Sequence, residues 1–270
     1  MTNLSRGLDS RPVVIKIGGR ALETPGASRA LAAEVASLSG APILVHGGGA
    51  EVSAWCERLG LTPRFEDGLR VTDASTLEVA VAVLAGLANK RLVAELRDAG
   101  VDAMGLAALD GIAEVTPHPR AAELGLVAQV TRIDTALLET LLDQGRVPVL
   151  SSIAAHQGQL LNLNADDLAT ALAIALKADE LILLSDTPGV RIEGRIVQHL
   201  DEAALTAALD HPDVTGGMKA KLKAAKKAIR EGVARVTIAQ WTGPETLARL
   251  LTQASDATRI GAASTEASNV

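Results

Sequence analysis

Short apolar runs alternate with amphipathic stretches along the chain, and several of the runs end in glycine. Val13–Ile17 is β-branched throughout except for Lys16, and it empties into Gly18 and Gly19. Such a run suits a strand buried on both faces. Residues 22–39 have helical spacing, with Leu31, Val35 and Leu38 on one face. Residues 42–45 (PILV) predict a second strand, residues 46–49 (HGGG) a second glycine turn, and residues 50–59 a helix. Strand, glycine turn and helix thus occur twice in the first third of the chain, which points to parallel α/β architecture.

The pattern continues. Residues 65–72 read as a polar connection, and 75–100 as a long helical region interrupted by Asn89, Lys90 and Arg91. Strands are expected at 103–109, Val127–Ile133, 147–152, 157–161, 181–185 and 233–239. Helices are expected at 135–144 (ended by Gly145), 168–177, 201–209, 219–231 and 244–251. Residues 192–196 around Gly194 read as a short hairpin. Residues 116–123 carry two prolines and read as a loop, and 215–218 as a flexible link. Residues 1–11 read as a loose arm and everything from Asp256 onward as a frayed tail.

Composition narrows the function. A chain of 270 residues suffices for one large α/β domain or two lobes. One Phe, two Trp and no Tyr leave the core to Leu, Val, Ile and Ala, and leave no stacking platforms for single-stranded nucleic acid. A net charge of −6 speaks against a general nucleic-acid surface. The single Cys56 excludes a disulfide within the chain and argues against a Cys-based zinc site. With no signal peptide and no membrane-length apolar run, a cytoplasmic protein is expected.

The candidate chemistry sits at strand ends. Lys16 is costly inside a buried strand unless its ammonium reaches a partner at the mouth of the sheet. Gly18, Gly19, Gly48 and Gly49 allow close backbone approach, with N–H groups suited to an anion. The pair of glycine turns with Lys16 points to polyphosphate, although neither a Walker A pattern nor G-x-G-x-x-G is present. His46 reads as structural, bonding the backbone through its ring. Arg70 either grips a carboxylate in a cleft or pairs at the surface with Glu66 or Asp67. An N-cap accounts for Asn164 but leaves Asn162, Asp166 and Asp167 unexplained, which suggests a substrate or metal-nucleotide site. The lysines of residues 219–227 form either a solvated face or, following Gly216–Gly217, a set able to reach phosphates.

The stretches VVIKIGG, LVHGGGAEV, GLRVT, LAGLANKRL, PVLSSI, LNLNADDLATALA, LILLSDTPGV and TGGMKAKL follow one another in an order that resembles the amino-acid kinase family. The resemblance is strongest to its members that act on N-acetyl-L-glutamate. It implies a three-layer α/β/α sandwich around a mainly parallel eight-stranded sheet. It also implies an N-terminal lobe (12–160) for the acyl amino acid and dimerisation, a C-terminal lobe (161–260) for ATP, and flexible ends at 1–11 and 261–270. Lys16 and Lys221 would stabilise the transferring phosphoryl group, with Asp166 orienting both. Gly48, Gly49, Arg70 and Asn162 would bind the substrate. Gly18, Gly19, Gly48, Ser185, Asp186, Gly217 and Met218 would surround the nucleotide. ATP and Mg²⁺ are the implied cofactors.

The resemblance further implies phosphorylation of the side-chain carboxylate by an arginine-insensitive homodimer in arginine biosynthesis, with no nucleic-acid or membrane partner. Lys219 and Lys223 compete for the role given to Lys221, and the compact 116–123 stretch falls where the family covers its substrate. The alternatives are a kinase of carrier-bound aminoadipate or glutamate, another amino-acid or carbamate kinase, and a catalytically silent sensor of the same fold.

Overall fold

A computed structural model describes residues 11–18, 26–252 and 257–261. The first half runs β1 (Val13–Ile17), α1 (Ala27–Ser37), β2 (Ile43–His46), α2 (Gly49–Arg58), β3 (Arg64–Glu66), β4 (Leu69–Val71) and α3 (Ala74–Val81). A π-helical stretch, Ala82–Ala88, joins α3 to α4 (Asn89–Asp98). Then come β5 (Ala103–Ala107), β6 (Ala113–Pro117), α5 (Ala121–Leu124), β7 (Val127–Ile133) and α6 (Ala136–Asp143). The second half runs β8 (Val147–Ser151), β9 (Ile153–His156), β10 (Gln159–Leu163), α7 (Ala165–Ala175), β11 (Glu180–Ser185), β12 (Arg191–Ile192), β13 (Arg195–Ile196) and β14 (His199–Leu200). It ends with α8 (Glu202–Asp210), α9 (Gly216–Arg230), β15 (Arg235–Gln240), α10 (Thr246–Leu251) and β16 (Thr258–Gly261).

Eight strands form the central sheet in the order β14-β16-β15-β11-β1-β2-β8-β5. Every neighbouring pair is parallel except β15 with β16. Helices flank the sheet, so its strands are apolar on both faces: Val14, Ile15, Ile43, Leu44, Val147, Val149, Leu181 and Ile182 are fully buried. β1 lies between β2 and β11, which puts Lys16 and both glycine turns at the C-terminal edge where open α/β sheets bind ligands. A second sheet, β6-β7-β10-β9, carries the other side of the site.

Several expectations are corrected. Residues 65–72 are not a plain connection: β3 and β4 pair as a hairpin around Asp67-Gly68, both at positive φ. Residues 116–123 hold the end of β6 and the start of α5, and Pro117 is tolerated because β6 is an edge strand. Gly216 and Gly217 open α9 instead of linking to it. The tail is not frayed from Asp256, since β16 inserts between β14 and β15 with Thr258 and Ile260 buried. Its four residues are too few for periodicity to show.

One polar contact spans the chain. Glu34 of α1 is buried and accepts hydrogen bonds from the N–H groups of Thr246 (3.1 Å), Leu247 (2.6 Å) and Ala248 (3.4 Å) at the start of α10. Burial raises its carboxyl above the usual range, and the three N–H groups oppose that shift. No side chain of α10's own caps it, so Glu34 does so from the far end of the chain. Glu34→Ala is expected to cost about 1–3 kcal/mol in denaturant unfolding, and Glu34→Gln less, because an amide oxygen still accepts. Equal losses for the two variants would contradict the capping role.

Candidate active site

The HGGG turn starts at the last residue of β2, and its first glycine is tied to the end of β1: Gly47 N–H donates to Ile17 O at 2.9 Å. Gly48 has φ 157°, and a Cβ there would lie 2.7 Å from Leu84 Cδ2, so the position demands glycine. At Gly18 a Cβ would collide with the Lys16 ammonium and crowd Leu184 O at 3.3 Å. Gly49 begins α2, so its N–H has no partner within the helix. Gly19 lies outside the described residues.

Lys16 finds its partner in α7. Its Nζ lies 2.9 Å from Asp166 Oδ1, and Lys221 Nζ donates to Asp166 Oδ2 at 2.5 Å. Helix α9 packs against α7, which brings Lys221 within reach. The three side chains are only 13–18% exposed. Burial alone would raise the Asp166 carboxyl; the two ammonium groups overcome it and hold the pKa at about 2. Of the three lysines, Lys221 makes the bridge to Asp166; Lys223 faces solvent, and Lys219 is half-buried and makes no bond to Asp166. Asn164 caps α7 by accepting from the N–H groups of Asp166 and Asp167, which fixes the start of the helix that carries Asp166.

Lys16 and Asp166 border a cleft of about 280 Å³, which Gly48, Gly49, Arg70 and Asn162 also line; Lys221 is tied to it through Asp166 and is not part of its lining. Arg70 makes no ion pair with Glu66 or Asp67; the surface reading is excluded. Its Nη2 donates to Gly49 O (2.6 Å) and Ser53 Oγ (2.9 Å), and its guanidinium stacks 4.6 Å from the Phe65 ring. The side chain is buried, yet Nη1 has no hydrogen-bond partner. A buried guanidinium that lines a cleft and keeps one donor unpaired is suited to an anionic ligand. Asn162 donates to Thr72 Oγ1 at 3.1 Å, and that hydroxyl donates to Arg70 O at 3.0 Å. Asn162 and Arg70 are thereby held in one frame.

The structure thus brings together Lys16, Lys221, Asp166, Gly48, Gly49, Arg70 and Asn162. Gly18 stands beside them at the end of β1. Ser185 and Asp186 lie at the end of the neighbouring β11, and Gly217 and Met218 in the first turn of α9; none of the four lines the cleft. Sequence reasoning missed Ser53, Phe65, Thr72 and Ser152. Phe65, the only phenylalanine, carried a signal in its rarity beside Arg70. The hydroxyl residues carried none. Among the described residues no three His, Cys, Asp or Glu side chains cluster as for a metal ion.

A family is now definable from fold and cleft together. Residues 11–240 match the amino acid kinase family, and the chain belongs to it. It is 43% identical to the acetylglutamate kinase of Methanopyrus kandleri over 249 residues, covering 85% of this chain and 95% of that one. It is 37% identical to the chloroplastic acetylglutamate kinase of Arabidopsis thaliana, covering 84% and 68%. A solved Streptococcus mutans structure superposes with a TM-score of 0.79 at 29% identity, covering 93% and 98%. The N-acetylglutamate synthase of Neisseria gonorrhoeae gives 0.82 at 25% identity, covering 94% of this chain and 60% of that one. The fold and family are those of a nucleotide-dependent kinase acting on an amino-acid-like substrate. No described helix is long and apolar enough to cross a membrane.

Because the Asp166 pKa is depressed, the bridge's contribution to stability is present above the unfolded carboxyl value of about 4 and is lost as pH falls through about 2. A ¹³C titration is expected to find the Asp166 midpoint near 2, and Lys221→Met is expected to raise it. An unchanged midpoint in that variant would rule out Lys221 as a determinant.

Proposed function

We propose that the protein transfers the γ-phosphoryl group of ATP to the side-chain carboxylate of N-acetyl-L-glutamate, giving N-acetyl-L-glutamyl 5-phosphate and ADP. The observation that carries this reading is the Lys16–Asp166–Lys221 bridge, whose Lys16 and Asp166 line the same cleft as Arg70 with its unpaired Nη1. Two cations held by one carboxylate suit a phosphoryl group between two anions, and a spare guanidinium donor suits a substrate carboxylate. The names of the relatives support the choice of acetylglutamate within the family.

The chemistry then runs as follows. A side-chain carboxylate oxygen attacks the γ-phosphorus in line, and the bond from that phosphorus to the β–γ bridging oxygen breaks. ADP leaves with the electron pair. The nucleophile is already ionised at neutral pH, so no general base is required. This accords with a buried His46 that is fully engaged in hydrogen bonds. Lys16 and Lys221 offset the charge spread over the transferring group, and Asp166 keeps the two ammonium groups apart and aimed. The N–H groups of Gly48 and Gly49 face the phosphates. Arg70 and Asn162 hold the substrate's carboxylate and acetamido portion. Gly18, Ser185, Asp186, Gly217 and Met218 border the nucleotide, residues 12–160 serving the acyl amino acid and 161–260 ATP. Among the described residues Asp166 is the one carboxylate lining the cleft, and it is committed to the lysines, so Mg²⁺ is taken to enter as part of the substrate, Mg-ATP.

A coupled ADP-release assay with Mg-ATP, comparing N-acetyl-L-glutamate with L-glutamate, aspartate and L-2-aminoadipate, tests this reading. Turnover with acetylglutamate alone, trapped by hydroxylamine as a hydroxamate, is expected. Turnover with none of these free acids, in protein that still binds ATP, would overturn the substrate. Lys16→Ala and Lys221→Ala are each expected to lower kcat by about 100-fold or more in folded protein. Arg70→Ala is expected to raise KM for acetylglutamate about tenfold or more, with KM for ATP little changed.

A further inference from the structure

We propose that His46 and Asn89, aligned by the π-helical stretch Ala82–Ala88, are positioning residues that hold the HGGG turn in its phosphate-facing form. The assignment rests on reading the cleft as a phosphoryl-transfer site. Both side chains are fully buried. Asn89 Nδ2 lies 2.9 Å from Val149 O and 3.0 Å from His46 Nε2. A backbone carbonyl only accepts, so the atom facing Val149 is the amide nitrogen, and its second hydrogen points to His46. Nε2 must therefore be the acceptor, and the ring proton sits on Nδ1. Nδ1–H in turn donates to Gly47 O at 2.9 Å. A single chain of hydrogen bonds thus runs from the sheet backbone at Val149 to the first glycine peptide of the turn.

The π stretch explains how Asn89 gets there. In an α-helix, residues five apart are turned by about 140° from one another. The i→i+5 bonding of a π-helix brings such residues toward one face. Leu84 and Asn89 are five apart, and both meet the same turn: Leu84 lies over Gly48, and Asn89 bonds His46. Gly105 completes the arrangement, because a Cβ there would collide with Asn89 Oδ1. Burial disfavours a charged His46, and the Lys90 charge acts in the same direction; the Gly47 carbonyl and Glu51 oppose it.

The test reads the turn directly. In ¹⁵N NMR of the unaltered protein, His46 is expected to hold the neutral Nδ1–H form between about pH 5 and 8. An Nε2–H tautomer, or an imidazolium in that range, would overturn the proposal whether or not any variant folds. In folded Asn89→Leu, exchange of the turn's bonded amides, Gly47 N–H on Ile17 O and Val52 N–H on Gly48 O, is expected to rise about tenfold or more, and kcat to fall about tenfold with acceptor KM nearly unchanged. Unchanged exchange at both amides would overturn it. The tautomer and exchange readouts need no acceptor. A protein that shows both yet does not phosphorylate acetylglutamate would sink the function and still support the positioning.

Discussion

Everything at the site depends on one buried carboxylate that two ammonium groups must satisfy. Asp166 could not remain ionised at its depth without Lys16 and Lys221, and the two lysines would repel each other without Asp166. The constraint ties three elements together: the central strand β1, helix α7 behind it, and helix α9 from the later part of the chain. Under the proposed function, a phosphoryl group between the lysines would find cations whose positions have already been set, which is the condition under which electrostatic stabilisation costs no reorganisation.

Glycine does the complementary work. The turn after β2 is joined to the end of β1 by the Gly47–Ile17 bond, and Gly48 is squeezed against Leu84. Side chains there would push the cations and the backbone apart. The cleft therefore combines charge supplied by long side chains with close approach supplied by missing ones. Arg70 adds a third component, since its guanidinium is spent on Gly49 and Ser53 on one side only.

Much of this was legible in the sequence. The buried strands announced themselves through β-branched runs, and Val127–Ile133 matches its predicted bounds. Lys16 was conspicuous because its charge contradicts its strand, and Asp166 because a cap explains Asn164 but no neighbouring carboxylate. What stayed hidden was short or distant. β3 and β4 have three residues each, fewer than alternation needs to show itself. The contact of Glu34 with the start of α10 joins residues more than 200 positions apart, beyond any local pattern. The π stretch is built mainly of Ala, Leu and Val, as is the α-helix before it, so only the three-dimensional register reveals it.

The placement of β16 bears on how the protein folds. It is the last described strand in the chain, yet it sits inside the sheet, between β14 and β15, with Thr258 and Ile260 buried. Until residues 258–261 are in place, β14 has no neighbour in the sheet and β15 presents an open edge to any other strand. This side of the sheet therefore closes only when β16 arrives, through contacts that span β14 to β16. An intermediate that lacks β16 is the form most exposed to aggregation.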